Sequence, residues 1–171
     1  MIIPHEKIFK VNWDKPARVV TWFCLAVLLL ALVLCVYAAI TQPGSMALYI
    51  GLALLILIVP FYFGLQSPKS IVLTDDALVV RKVVGNVTIP YRAIKSCALL
   101  RKYSAVRVFA SGGFLGYVGV FWNRALGWHK VLAGSLRQPI CLNLFSGKPY
   151  ILSCSDNKEL LEALRNLAGK R

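Results

Sequence analysis

Acidic residues are scarce in this chain. Seven Asp and Glu stand against 20 Lys and Arg among 171 residues, a formal net charge of +13. So few carboxylates leave little for the paired acids of glycoside hydrolysis or the metal-bound acids of phosphoryl transfer. Histidine is scarcer still. His5 and His129 are far apart in sequence, and neither belongs to a Cys, His or Asp cluster at metal-ligand spacing. The five cysteines, Cys24, Cys35, Cys97, Cys141 and Cys154, are odd in number and form no C-x-x-C. They are expected as buried reduced thiols, not a disulfide framework. G-x-S-x-G is missing, so Ser111, Ser146 and Ser153 read as turn or strand-end residues. The sequence therefore predicts no catalytic residues, no metal and no cofactor.

Apolar residues, by contrast, are in excess. The chain is 58% hydrophobic with a mean hydropathy of +0.66, too apolar for an ordinary soluble domain. Residues 19–40, VVTWFCLAVLLLALVLCVYAAI, carry no charge. As a helix they would extend about 33 Å, enough for a hydrocarbon core of roughly 30 Å. TQPGS (41–45) then makes a turn, and residues 46–65, MALYIGLALLILIVPFYFGL, form a second uncharged run, with Pro60 placed to kink it. The first run is too long for the apolar core of a signal peptide, and a second span follows at once. Lys7, Lys10, Lys15 and Arg18 precede the pair, and Lys69, Arg81 and Lys82 follow it. The positive-inside rule then puts both termini in the cytoplasm and the hairpin tip outside. Neither run holds an ionisable Asp, Glu, Lys, Arg or His, so an anchor is expected rather than a transport pathway. The expected division is a cytoplasmic segment 1–18, a two-helix transmembrane hairpin 19–65, a linker 66–69 and a cytosolic domain 70–171.

Beyond the linker the pattern breaks into short β-like pieces. SIVL, ALVVRKV and VTIP read as strands separated by turns at TDD and VGN. YRAIKSCALLRKY reads as a loop or helical turn entering a fourth strand near 96–100. WHKVLAGS, PICLNLF and PYILS read as later strands, with SGK a hairpin turn. Asp156 and Glu159 have capping-box spacing ahead of an apolar stripe, Leu160, Leu161, Leu164 and Leu167, so a closing helix should pack on the β-core.

IVLTDDALVVRK followed by VTIPYRAIKSC resembles the opening of bacterial pleckstrin-homology-like (PH-like) domains. GGFLGYVGVFWNRALG and GKPYILSCSDNKELLEAL resemble the middle and end of a membrane-anchored subgroup that carries two N-terminal transmembrane helices. The resemblance covers about 70–169. It implies a bent seven-stranded sandwich or barrel plugged by one C-terminal α-helix, and it does not imply catalysis. Lipid-binding relatives hold phosphoinositide with basic residues around the first strand–strand loop. Here Asp75 and Asp76 occupy that loop, so such binding is not expected there.

The stretch SGGFLGYVGVFWNRALG (111–127) has five glycines and four aromatics in seventeen residues. The uncharged run 108–123 is too short and too glycine-rich for a third crossing, which would also carry Lys158, Arg165, Lys170 and Arg171 outside. G-x-x-G-x-x-G at Gly113, Gly116 and Gly119 is neither a P-loop nor a dinucleotide motif. Two expectations stay open. One is an irregular connection whose Phe114, Tyr117, Phe121 and Trp122 pack over an open end of the barrel. The other is a loop dipping into the bilayer, with Arg101, Lys102, Arg107 and Arg124 contacting anionic lipid phosphates.

The functional expectation is a non-enzymatic, membrane-anchored binding or scaffold module of the bacterial inner membrane. It would recognise a protein partner or anionic phospholipid, and could self-associate. Nucleic acid is not expected, because membrane spans already account for the basic residues. The alternative is an accessory subunit of a membrane transporter or envelope enzyme complex.

Overall fold

The computed structural model describes residues 7–168; His5, Lys170 and Arg171 lie outside them. Strand β1 (Lys7–Lys10) leads into helix α1 (Lys15–Thr41), a 3-10 turn (Pro43–Ser45) and helix α2 (Met46–Leu65). Both helices are long and apolar enough to cross a membrane. Asp14 caps α1, accepting from the Ala17 N–H at 2.9 Å, and Pro16 sits in the first turn, where its missing N–H costs nothing. Pro60 lies inside a continuous α2.

The rest is a β-rich sandwich with a C-terminal helix. One sheet has the order β1-β2-β3-β4, with β2 (Pro68–Leu73), β3 (Ala77–Lys82) and β4 (Asn86–Pro90). The other has the order β5-β9-β10-β8-β7-β6. Its strands are β5 (Ile94–Leu99), β6 (Val106–Gly113), β7 (Gly116–Asn123), β8 (Gly127–Ala133), β9 (Ile140–Leu144) and β10 (Tyr150–Leu152). Its ladders are antiparallel except β8–β10. Ten strands are thus present among the described residues, against seven expected. The N-terminal β1 pairs antiparallel with β2 across the whole helical hairpin, Phe9 opposite Ile71, so residues 7–10 belong to the sandwich rather than to a separate flank.

The core lies between the sheets. Phe9, Ile71, Leu78 and Val80 from one meet Val118, Ile140, Leu142 and Leu152 from the other. Helix α3 (Asn157–Ala168) closes it with Leu160, Leu161 and Leu164, each worth about 1.5–3 kcal/mol when fully buried. Asp156 Oδ1 accepts from the N–H groups of Lys158 and Glu159 at 3.1 and 3.0 Å, while Glu159 turns away to pair with Lys7 at 2.7 Å. The expected capping box is therefore half used, and its acid ties β1 to α3.

Candidate functional site

Residues 111–127 are not an irregular connection. β6 and β7 take up most of the stretch, joined by a two-residue turn, Phe114-Leu115, between the paired Gly113 and Gly116. The glycines serve close approach. At Gly119, with φ +129°, a Cβ would overlap the Phe109 carbonyl and Ala110, so only glycine completes the ladder there.

The turn is held by both apolar helices. Leu115, itself left-handed at φ +56°, donates its N–H to Thr21 Oγ1 of α1 at 2.9 Å. The Thr21 hydroxyl lies 2.7 Å from the Ala17 carbonyl and 3.1 Å from that of Gly113. Ser67, just past α2, donates to the Leu115 carbonyl at 2.6 Å. A Cβ on Gly64 would come within 3.1 Å of Leu115 Cδ1. Phe114 forms one wall of an apolar groove that Phe23, Val27, Val59 and Pro60 of the helices also line. Thr21 and Ser67 do not stand out in the sequence, because a lone hydroxyl in or beside an apolar run has no local signature.

The other aromatics part company with Phe114. Tyr117 and Phe121 are buried on the outer face of the six-stranded sheet, with Ala17, Val131, Cys141 and Ile151. They do not cover an open barrel end as expected. The alternation along β7 puts 117, 119 and 121 on this face and Val118 on the inner one. The Tyr117 hydroxyl is 3.5 Å from Asp14 Oδ1, and burial, with Asp14 adding to it, raises the Tyr117 pKa. Trp122 is partly exposed.

His129 is fully buried on the same face and stacks on Phe121. Its Nδ1 is 2.8 Å from the Gly127 carbonyl, which can only accept, so Nδ1 carries the proton and Nε2 accepts from the Tyr103 hydroxyl at 2.6 Å. Burial, with Cys141 nearby, pushes the Tyr103 phenol well above its usual range. Burial also raises Cys141, and it lifts Cys154 to about 11, leaving little reactive thiolate at neutral pH. Among the described residues no three His, Cys, Asp or Glu come together as a metal site.

The four basic residues singled out from sequence are not brought together. Arg107 lies over Gly112, near the turn. Arg101 and Lys102 precede β6, and Arg124 follows β7, at the opposite end of the ribbon. All four are exposed.

A cavity of about 320 Å³ opens between the sheets where they meet the last turn of α2. Its walls include Phe63, Val87, Phe109, Val120 and Leu132. Lys82 and Lys130 also line it, and among the described residues no Asp or Glu does. Lys82 Nζ donates to Gln66 Oε1 at 2.6 Å, and Lys130 Nζ is 3.4 Å from the Tyr150 hydroxyl. The β3–β4 turn closes beside it, with the Val83 N–H bonded to the Ser67 carbonyl and the Val84 N–H to the Leu65 carbonyl, each at 3.0 Å.

Two packed sheets closed by one C-terminal helix, carried next to a pair of apolar helices, define a PH-like module. Residues 69–168 match the family model of the bacterial PH domain, more than half of the chain, and the protein belongs to that family. No curated protein and no solved structure gives a significant match.

Proposed function

We propose that this protein is a non-enzymatic, membrane-anchored binding module. In this reading α1 and α2 cross the bacterial inner membrane as a hairpin, with residues 41–45 outside and both termini in the cytoplasm. Residues 19–65 are the anchor, and the β-domain from 66 onward, completed by β1, stands on the cytoplasmic surface. The carrying observation is the clasp on the β6–β7 turn. A domain on a free tether would not need Leu115 gripped by Thr21 of α1 and by Ser67 just past α2. Phe114 reaches the level of Phe23 and Val27, inside the charge-free run, which supports a turn seated at bilayer depth. Lys15, Arg18, Lys69 and Lys82 gather at the helix ends nearest the domain, as positive-inside topology requires.

A domain held this way presents a fixed surface. β6 is an edge strand with one neighbour, and it exposes Val106 (62%), Val108 and Phe109 (67%). An extended segment of a protein partner would add to that edge through main-chain hydrogen bonds. The test combines topology with contact. Reporter fusions should be active outside when inserted at residue 44 and inside when placed after residue 171. A photo-crosslinking residue at Val108 of the full chain in membranes should give a discrete protein adduct that the same probe at exposed Lys158 does not. Reversed reporters would overturn the anchor, and equal adducts from both probes would overturn the β6 edge as the binding surface.

A further inference from the structure

The cavity beside α2 carries an assignment of its own. We propose that it takes one acyl chain of an anionic phospholipid drawn from the adjoining leaflet, with the headgroup held by Lys82 and Lys130. The inference rests on the membrane-anchored reading above and specifies a ligand for it.

Three observations select this occupant. The first is continuity. Tyr62 and Phe63 of α2 line the cavity together with exposed Phe109, so an apolar path runs from the flank of α2 into the sandwich. A soluble polar ligand would gain nothing from that path, whereas an acyl chain gains about 0.8 kcal/mol per buried methylene. The second is size. About 320 Å³ is near the lower end of ligand pockets and holds roughly ten water-sized volumes, which suits a segment of one chain and not a whole lipid. The third is charge. The two ionisable amines of the lining are both lysines, and neither has an ion-pair partner among the described residues. Their present acceptors, a Gln66 amide oxygen and the Tyr150 hydroxyl, are neutral, so a phosphate would be a stronger partner for either. The outer loop with Asp75 and Asp76 offers a phosphate no such environment.

The test uses the full chain reconstituted in bilayers doped with phosphatidylglycerol carrying a diazirine near the end of one acyl chain. Matched bilayers carry the same chain on phosphatidylcholine. After irradiation, adducts are mapped by peptide. The expected result is labelling of inner-face residues of β7 and β8, at least five-fold stronger with phosphatidylglycerol. Lys82→Gln together with Lys130→Gln should remove most of that preference while labelling of α1 and α2 persists. Val120→Trp, which fills the cavity, should abolish sandwich labelling and leave helix labelling intact. Labelling confined to the helices, or equal labelling from the two lipids, would overturn the proposal. Absence of helix labelling as well would instead overturn the membrane anchor.

Discussion

The two ends of the β6–β7 ribbon are made differently. At one end Gly113, Phe114, Leu115 and Gly116 turn the chain against α1 and α2, with backbone groups gripped by Thr21 and Ser67. At the other end Trp122 pairs with Val106 and Asn123 meets the 100–105 loop, its Nδ2 donating to the Ser104 carbonyl at 3.1 Å, and Arg101, Lys102 and Arg124 stand in solvent. Small residues let backbone approach backbone at the first end. Long charged residues keep the second wet. A single ribbon thus acts as a strut, with one end built for packing and the other for exposure.

The largest effect should come from the middle, where both ends depend on one ladder. Gly119→Val would force a β-branched side chain into φ +129° and onto the Phe109 carbonyl. It should cost about 3–5 kcal/mol and lower the melting temperature of the full chain in detergent by many degrees. Gly127→Ala, at φ +64° in open space, should cost only about 1 kcal/mol. If the two substitutions prove equal, close approach is not what β7 needs from its glycines.

Next in size is the clasp. Phe114→Ala removes a partly buried wall of the groove and should cost about 2 kcal/mol, less than the 3–5 typical of a fully buried Phe. Thr21→Val leaves the Leu115 N–H without its acceptor and should cost about 1–3 kcal/mol. The pair should be non-additive by at least about 0.5 kcal/mol, because both hold one turn. Amide hydrogen exchange at Leu115 is the sharper readout. Faster exchange in both variants, with the β9–β10 amides unchanged, is the expected pattern. Uniform acceleration would mean that the turn is not a separate joint.

These contacts also show where sequence reading stops. The apolar helices are legible because twenty or more residues without charge have one economical home. The β3–β4 and β9–β10 turns are legible from Gly85 and Gly147, both at positive φ, and α3 from Asp156 and its leucine stripe. β6 and β7 are not, because glycines interrupt the period of two and an irregularity between Arg107 and Phe109 shifts the register. β1 has four residues and a partner some sixty positions later. Thr21 meets Gly113 across 92 residues, and Ser67 meets Leu115 across 48, separations at which a hydroxyl leaves no pattern. The basic quartet divides for the opposite reason. Closeness in sequence to the aromatic run does not bring Arg101, Lys102 and Arg124 to the Phe114 turn, because the eight-residue strands β6 and β7 lie between.

At the solvent end, Tyr103 is the contact to break. Tyr103→Phe removes the hydrogen bond to His129 and should cost about 1–2 kcal/mol near neutral pH, since Nε2 is then buried without a donor. The pH dependence follows from the raised phenol. Folding favours its neutral form, so this contribution is whole below the ordinary tyrosine pKa of about 10 and is lost as pH rises above it. Urea unfolding between pH 8 and 11 should show stability falling above pH 10 in the parent chain, and less steeply in Tyr103→Phe. An identical alkaline slope would assign the loss to other groups, of which Tyr91, raised to about 12 by burial and by Asp75 and Asp76, is the first to examine.

The smallest effect should come from the exposed cations. Replacing Arg101, Lys102 and Arg124 together with Gln should change stability by no more than about 0.5 kcal/mol, because none is buried. The informative measurement is the melting-temperature shift of the full chain when anionic lipid replaces neutral lipid in the bilayer. If the ribbon stands with its clasped turn toward the membrane, these three residues lie at its far end, whereas the Arg107 side chain reaches back over Gly112 toward the turn. Screening over roughly 8 Å at physiological salt leaves residues at the far end little of the surface potential, and the triple variant should keep most of the shift. Arg107→Gln, beside the turn, should lose part of it, on the order of 1 kcal/mol for one basic residue near an anionic surface. A large loss in the triple variant would mean that the ribbon lies along the bilayer instead of standing on it. The exposed edge of β6 would then face lipid, and the case for a protein partner at that edge would fall with it.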